Sequence, residues 1–474
     1  MSGDGLTITG GANGLAARFD DLHAQANLLD LIAGDLGEVA STLASLAVSP
    51  DIAEAALLCP LEAAQAEEAV LAANLGSHGV AVGWARAEAS VAFVRFAIAA
   101  YQEVDDWMRR AGDELAFSGG FVAGSAAVPA LVGGVVSNPL LAASLWATRG
   151  RLAEAAQNVA YDQPWTQEVA ARAAPGFVEG AFSLLLGGNS VLLRLVSGGH
   201  WPTSDLEGAV QGLLHVGGRA GLLEDAGGLS VAAVGPPSRV EFTNRHFVEE
   251  AIRQQDVVDD EDARVRVVAV EGPAGRSYVV QIPGTQSWAP SRGDNPFDLT
   301  SNTHLVAGHH TQLAAAVVAA MHEAGVPASA PILMTGHSQG GIVAAAIAAD
   351  PEYRRKFNIK AVITAGSPIG IVPIPPDVSV LSLEHRQDLV PKLDGADNPD
   401  RPNWVTITRD LHDGAPPNSE PSILAAHSLD NYARTGSEVD GSGDPSVVRW
   451  RAILSGFSGV GSAQSYRVLP VGGH

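Results

Sequence analysis

Apolar residues return every three or four positions through the first part of the chain. Leu15, Phe19, Leu22, Ala26, Leu29 and Ile32 share one face with acidic groups between them, a spacing that predicts an amphipathic helix. Asp51 to Asn74 predicts a second helical segment, interrupted at Pro60 because proline cannot donate to the preceding turn. Trp84 to Leu115 predicts a third, carrying Val91, Val94, Ile98, Tyr101 and Trp107. Three long helices in succession predict an antiparallel bundle over residues 1–117.

From Leu115 to Thr148 there is no charged residue, a run longer than the roughly 20 residues that cross a bilayer. A membrane-inserting helix or hairpin fits its length. A buried, tightly packed helix pair fits its composition better: small residues dominate, and Gly119, Gly120, Pro129, Gly133, Gly134 and Asn138-Pro139 break it. The pattern continues helical and glycine-punctuated through Arg149–Ala233, making 118–234 an apolar helical region, and Gly235-Pro236-Pro237 reads as a hinge. Beyond it the pattern alternates. Arg264–Val270, Ser277–Ile282, Ile332–Met334, Ala361–Thr364, Val378–Leu383 and Val405–Ile407 read as strands, with His304–Glu323 helical between the second and third. Such alternation predicts an α/β domain over 235–474, a mostly parallel sheet covered by helices.

Composition narrows the function. A formal charge of −23, with three lysines among 29 basic residues, excludes backbone binding of nucleic acid, which needs basic patches. An anionic membrane surface should repel the chain unless a local apolar element docks it. The single cysteine, Cys59, excludes an intramolecular disulfide and a cysteine zinc cage, and its apolar setting predicts a buried structural thiol. The first residues lack a basic region followed by an apolar core, so the expected location is the cytoplasm, with signal-independent export as the alternative. His304, His309 and His310 have no clustered carboxylates and read as exposed or capping residues; no metal or other cofactor is expected.

The chemistry concentrates in Pro331–Ile342, PILMTGHSQGGI. An apolar run drops into Gly336-His337-Ser338-Gln339-Gly340 and then into the helix-forming stretch Ile342–Ala349. In a chain with 52 glycines the bare GxSxG pattern arises by chance about 0.4 times, so its strand–turn–helix setting carries the weight. This setting is the nucleophile elbow of α/β-hydrolases, with Ser338 as the nucleophile. Serine attack needs a carboxylate, a histidine base and amide donors, and on such a sheet the order is Ser, acid, His. Asp388, a few residues past the strand Val378–Leu383, is the candidate acid, with Glu384 and Asp394 as competitors. His427 is the candidate base and His412 its rival; His385 precedes the acid, and His474 is the last residue. The backbone amides of Thr285 and Gln339 are the candidate oxyanion hole, with the Thr285 hydroxyl as a third donor.

Together, Gly284-Thr285, Gly336-His337-Ser338-Gln339-Gly340-Gly341, Asp388-Leu389-Val390-Pro391, and His427 with Tyr432 resemble the lipase class-three group of α/β-hydrolases. The resemblance covers roughly residues 262–435 and implies hydrolysis of a lipid or other acyl ester, a small-molecule substrate. Two features depart from it: Pro283 stands where that group often has arginine, and Ser287–Asn302, carrying Trp288 and Phe297, replaces an amphipathic lid helix as a flap. The helical half loosely resembles the helical-hairpin targeting domains of type VII secretion substrates, without their Trp-x-Gly turn. A membrane- or secretion-associated protein with a degenerate hydrolase domain, or an acyltransferase or amidase on the same triad, are the competing readings.

Overall fold

Nine strands form one mixed sheet: β1 (Leu6–Gly10), β2 (Leu229–Phe242), β3 (Arg264–Gly272), β4 (Gly275–Ile282), β5 (Pro331–His337), β6 (Asn358–Ala365), β7 (Ser379–His385), β8 (Trp404–Arg409) and β9 (Gly459–Pro470). The structure, a computed structural model, describes residues 5–76, 78–137, 157–259, 263–273, 275–289, 293–412 and 422–471. Strands β4 to β8 are mutually parallel and lie in sequence order; β1 closes one edge, and β3, β9 and β2 extend the other, all antiparallel. The central strands are apolar on both faces because both are covered, which is why they read as continuous apolar runs. Val280, Met334, Val362 and Val380 meet the helices Gln312–Glu323 and Gln339–Ala349 on one side. Val279, Leu333, Ile363 and Leu381 meet Phe247–Asp259, Leu429–Gly441 and Pro445–Leu454 on the other. This is an α/β-hydrolase fold with a helical region ahead of it.

The sharp passage from β5 into the helix Gln339–Ala349 depends on missing side chains. A Cβ on Gly336 would lie 2.1 Å from the Gly340 carbonyl carbon, and one on Gly340 would lie 2.0 Å from the Ile282 carbonyl oxygen. A Cβ on Gly341 would lie 2.0 Å from Ser367 Oγ. Gly340→Ala should therefore cost about 3 kcal/mol or more, since backbone of a central strand has to move. Thermal denaturation checks it; an unchanged midpoint would contradict the packing.

The chain divides into two compact units, residues 1–14 with 112–474, and residues 15–111. The boundaries drawn at 117/118 and 234/235 differ from this. The reason is that β1 and β2 join the hydrolase sheet, and the helix Trp165–Leu185 is tied to the β7–β8 loop: Gln167 Nε2 donates to the Gln387 carbonyl at 3.1 Å. Within 15–111, helices Leu15–Ala47, Pro50–Leu58 and Pro60–Leu75 are joined by the start of Val80–Ser137. Val91 and Ile98 of the last of these are buried as expected, but on the first helix the seam is not the large apolar stripe expected. Ala26, Ala33, Ala40 and Ala47, seven residues apart, are buried, whereas Leu22 and Ile32 are exposed. Small residues at that period let neighbouring backbones approach, and Asn74 Nδ2 donates to the Ala40 carbonyl at 2.9 Å. Cys59, expected to be buried, is exposed at the break between two helices.

The charge-free stretch lies inside the described residues as far as Ser137; residues 138–148 lie outside them. Gly119, Gly120 and Pro129 do not break the helix Val80–Ser137. Instead Gly120 and Gly124 face Gly176 and Gly180 of Trp165–Leu185, where a Cβ would sit 2.0 to 2.1 Å from the opposing backbone oxygens. Among the described residues, Leu15–Leu58 is one helical run long and apolar enough to cross a membrane by length and composition.

Candidate active site

Ser338 sits between β5 and its helix at φ 53°, ψ −122°, a backbone region that costs a non-glycine residue of order 1–3 kcal/mol. Its side chain does not cap the helix, and its amide donates to the Ala365 carbonyl at 2.9 Å. Neither the Thr285 nor the Gln339 amide donates to an acceptor among the described residues, and Gln339 is the first residue of a helix without a side-chain cap. The Gly284 position, seen through the Cβ it lacks, is 3.3 Å from Ser338 Cβ, so the β4 loop closes on the serine.

Asp388 follows β7 and is fully buried; His427 lies in the turn between the helices Ile423–Ala426 and Leu429–Gly441. His427 Nδ1 and Asp388 Oδ2 are 2.7 Å apart. A carboxylate only accepts, so Nδ1 carries the proton and Nε2 is left as the basic nitrogen. The Tyr432 hydroxyl donates to Asp388 Oδ2 at 2.6 Å and the Val390 amide to Oδ1 at 2.9 Å. Burial alone would raise Asp388, but the His427 and Tyr432 contacts outweigh it and hold the carboxyl below its ordinary range. The sequence candidates Ser338 and His427 are brought together through neighbours. The His337 and His427 rings are 4.6 Å apart, and Gly366, next to the carbonyl that holds Ser338, abuts the His427 ring. No direct Ser338–His427 hydrogen bond occurs among the described contacts.

The rivals face elsewhere. His412 Nδ1 lies 3.0 Å from Asp410 Oδ1 and its ring packs on Tyr161. Glu384, half-buried and raised to about 8 chiefly by desolvation, accepts from Asn398. Asp394, raised to about 6 by burial, accepts from the Gly370 and Ala396 amides. His474 lies outside the described residues. His304 Nε2 meets the Leu223 carbonyl, and His310 pairs with Asp350 at 3.0 Å; no group of three metal-ligating side chains occurs among the described residues.

Three residues given no role by the sequence reading, His337 of the elbow with Asp259 and His385, complete the site. His337 Nδ1 faces Asp259 Oδ2 at 2.9 Å, and its Nε2 faces the His427 carbonyl at 3.0 Å. Both partners only accept, so the ring is fully satisfied as imidazolium. Burial opposes that charge, but the Asp259 hydrogen bond and charge carry His337 above its ordinary value. His385, lowered to about 4 chiefly by burial, is neutral; it meets the Ala426 carbonyl at 2.7 Å and stacks on Tyr432. Two histidines thus clamp the backbone that carries His427.

Asp259 also accepts the Gly284 amide at 2.8 Å, and Gln255 Nε2 donates to the Ile282 carbonyl. These contacts hold the loop at Pro283, where the class-three group often has arginine. The Thr285 hydroxyl accepts from Asn302 Nδ2 at 2.8 Å, and Gln339 Nε2 donates to the Asp298 carbonyl. The segment expected to be a flap is anchored by the fully buried Phe297, while Trp288 is exposed.

Asp259→Ala should misplace the Gly284–Thr285 loop and lower kcat/KM by about 10²-fold, the scale of a 1 Å displacement of aligned groups. It should also remove the stabilisation from charged His337. With a raised folded value, that contribution is full below the ordinary 6.5 and fades as pH rises through the folded value. The loss in melting temperature should therefore be larger at acidic than at alkaline pH; a pH-independent difference would contradict the charged pair.

Residues 302–413 match the family model of the PGAP1-like alpha/beta domain. That domain belongs to the α/β-hydrolase superfamily, and the match points to a hydrolase-type enzyme. No curated protein and no solved structure matches the chain. The likeness to class-three lipases holds at the level of the superfamily.

Proposed function

We propose that the chain is a serine hydrolase that cleaves carboxylic esters, those of lipids or other acyl groups, through an acyl-enzyme. The observation that carries this reading is the buried Asp388 held 2.7 Å from His427 Nδ1 beside a serine at φ 53°. In the first step Ser338 Oγ attacks the acyl carbon while His427 Nε2 takes the hydroxyl proton. The amides of Thr285 and Gln339 hold the oxygen that becomes negative, and Asp388 stabilises the imidazolium. His427 then gives its proton to the departing alkoxide. Water, deprotonated by His427, releases the acid by the same path reversed. The acyl part of the substrate follows from the resemblance at Gly284-Thr285, the elbow and Asp388-Leu389-Val390-Pro391.

Turnover of p-nitrophenyl esters of short and long acyl chains tests the reading. Ester hydrolysis that strengthens with chain length supports a lipid or acyl ester, and preference for the shortest chains points to a small-ester esterase. Cleavage of amides with esters untouched, or no turnover by folded protein, would overturn it.

A further inference from the structure

One turn of the hydrolase unit places its large apolar side chains in solvent. The helices Trp165–Leu185 and Ser190–Val196 meet at 114° across Gly187 and Gly188, both in the left-handed region. At and beside this bend Leu185 is 66% exposed, Val191 74% and Leu195 62%, with Leu184 and Leu192 exposed as well. The bend is built rather than frayed. Asn189 caps the second helix through the Val191 and Leu192 amides, and Glu179 accepts the Thr203 amide at 2.8 Å. The fully buried Trp201 packs on Phe182 and donates to the Ala209 carbonyl at 3.0 Å.

Charge at this place runs against the rest of the molecule. The chain carries −23, yet no Asp or Glu occurs from Gly180 to Ser204. A cavity of about 770 Å³ opens beside the bend, lined by Val191, Arg194, Leu195, Pro202, His215 and Arg219. Arg194 and Arg219 are exposed, and neither guanidinium has an ion pair or hydrogen bond among the described contacts. Unpaired cations beside exposed aliphatics, without a carboxylate in the lining, match a ligand whose head is anionic and whose body is apolar.

We propose that this bend docks the protein on an anionic phospholipid surface, with the Leu185, Val191 and Leu195 side chains entering the acyl region and Arg194 and Arg219 taking headgroup phosphates. Aliphatics bound at the interface and basic groups at the phosphate level are the two terms that drive such adsorption. They also supply the local apolar element a −23 chain needs to approach an anionic leaflet. Docking is independent of Ser338 chemistry, although it would present a lipid ester to the site proposed above. The bend and that site share a framework: Gln167 of the first helix holds the Gln387 carbonyl next to Asp388, and Gln211 donates to Ala307, which follows the helix carrying Asn302.

Co-sedimentation of the full chain with phosphatidylcholine vesicles, with and without phosphatidylglycerol, tests the proposal. The protein should pellet with the anionic vesicles, and salt should weaken binding. Arg194→Gln with Arg219→Gln should weaken it by about 25-fold, roughly fivefold for each charge near the surface. Leu185→Ser with Val191→Ser and Leu195→Ser should abolish it, while hydrolysis of a soluble short-chain ester stays unchanged in every variant. The arginine pair, being exposed, keeps the test valid if the apolar variant fails to fold. Wild type remaining in the supernatant, or the arginine variant pelleting as strongly as wild type, would overturn the proposal. So would inorganic phosphate binding without vesicle binding, or a concentration-dependent dimer that the variants dissociate. Vesicle binding by protein that hydrolyses no ester would leave docking standing and remove the catalytic reading alone.

Discussion

Ser338→Ala should lower kcat for an activated ester by about 10⁵- to 10⁶-fold, with the fold retained. The magnitude follows from removing the only atom that forms the acyl bond in the proposed reaction, which in serine enzymes leaves residual catalysis from binding and the oxyanion donors. Alanine keeps the same backbone penalty as serine at φ 53°, so its melting temperature should stay near that of wild type. Ser338→Gly separates the two roles of the position. Glycine occupies that region without strain, so this variant should be inactive yet more stable by about 1 kcal/mol. Ester kinetics with thermal denaturation read both effects, and a Ser338→Ala protein that still turned over ester at the wild-type rate would remove the serine from the chemistry.

Asp388→Asn should cost about 10⁴-fold in kcat while disturbing the fold little. The amide nitrogen can donate to His427 Nδ1, which leaves the proton on Nε2, where the base must accept one. Asp388→Ala differs in kind. It strips the partner from the fully buried Tyr432 hydroxyl and from the Val390 amide, at about 1–3 kcal/mol for a buried group left unsatisfied. The acid limb distinguishes wild type from both variants. Asp388 is held below its ordinary 3.8, so its contribution is present above that value and lost as pH falls through the folded one. Stability measured from neutral to acid pH should show this loss in wild type alone. Equal activity of Asp388→Asn and wild type would transfer the acid role to another carboxylate.

What could be read from the chain depended on how local each feature is. The elbow was legible because strand, glycines, serine and helix are contiguous, and the close contacts of Gly336, Gly340 and Gly341 give each glycine its reason. Asp388 and His427 were legible from order along the chain, and the structure places them together. Asp259 was not. It ends a helix 78 residues before His337, and no spacing rule links a carboxylate in Val257-Val258-Asp259-Asp260 to a ring in the elbow. His385 was set aside as a base, but its role as a backbone clamp emerges only once Ala426 and Tyr432 are folded over it.

The sheet edges differ from the sequence expectation for a physical reason. Gly235-Pro236-Pro237 looks like a hinge, yet it lies where β2 slips register against β9 between Val234 and Ser238. An edge strand tolerates proline at such an irregularity because the missing donor faces no ladder partner. β9, Gly459–Pro470, is rich in glycine and serine and carries little apolar alternation, so its pairing with β3 supplies the order that its sequence does not announce. On the helix Leu15–Ala47, alanines at a seven-residue period make the seam while Leu22 and Ile32 stay exposed, an inversion that an apolar-stripe reading cannot detect.

The central claim is that Ser338 is a nucleophile activated by His427, and covalent labelling tests it most directly. The full chain is treated with a fluorophosphonate probe and the adduct located by mass spectrometry, beside Ser338→Ala and His427→Ala. One adduct is expected, on Ser338, absent from Ser338→Ala and strongly slowed in His427→Ala. A folded wild-type protein with no adduct, or one labelled equally in all three forms, would contradict it.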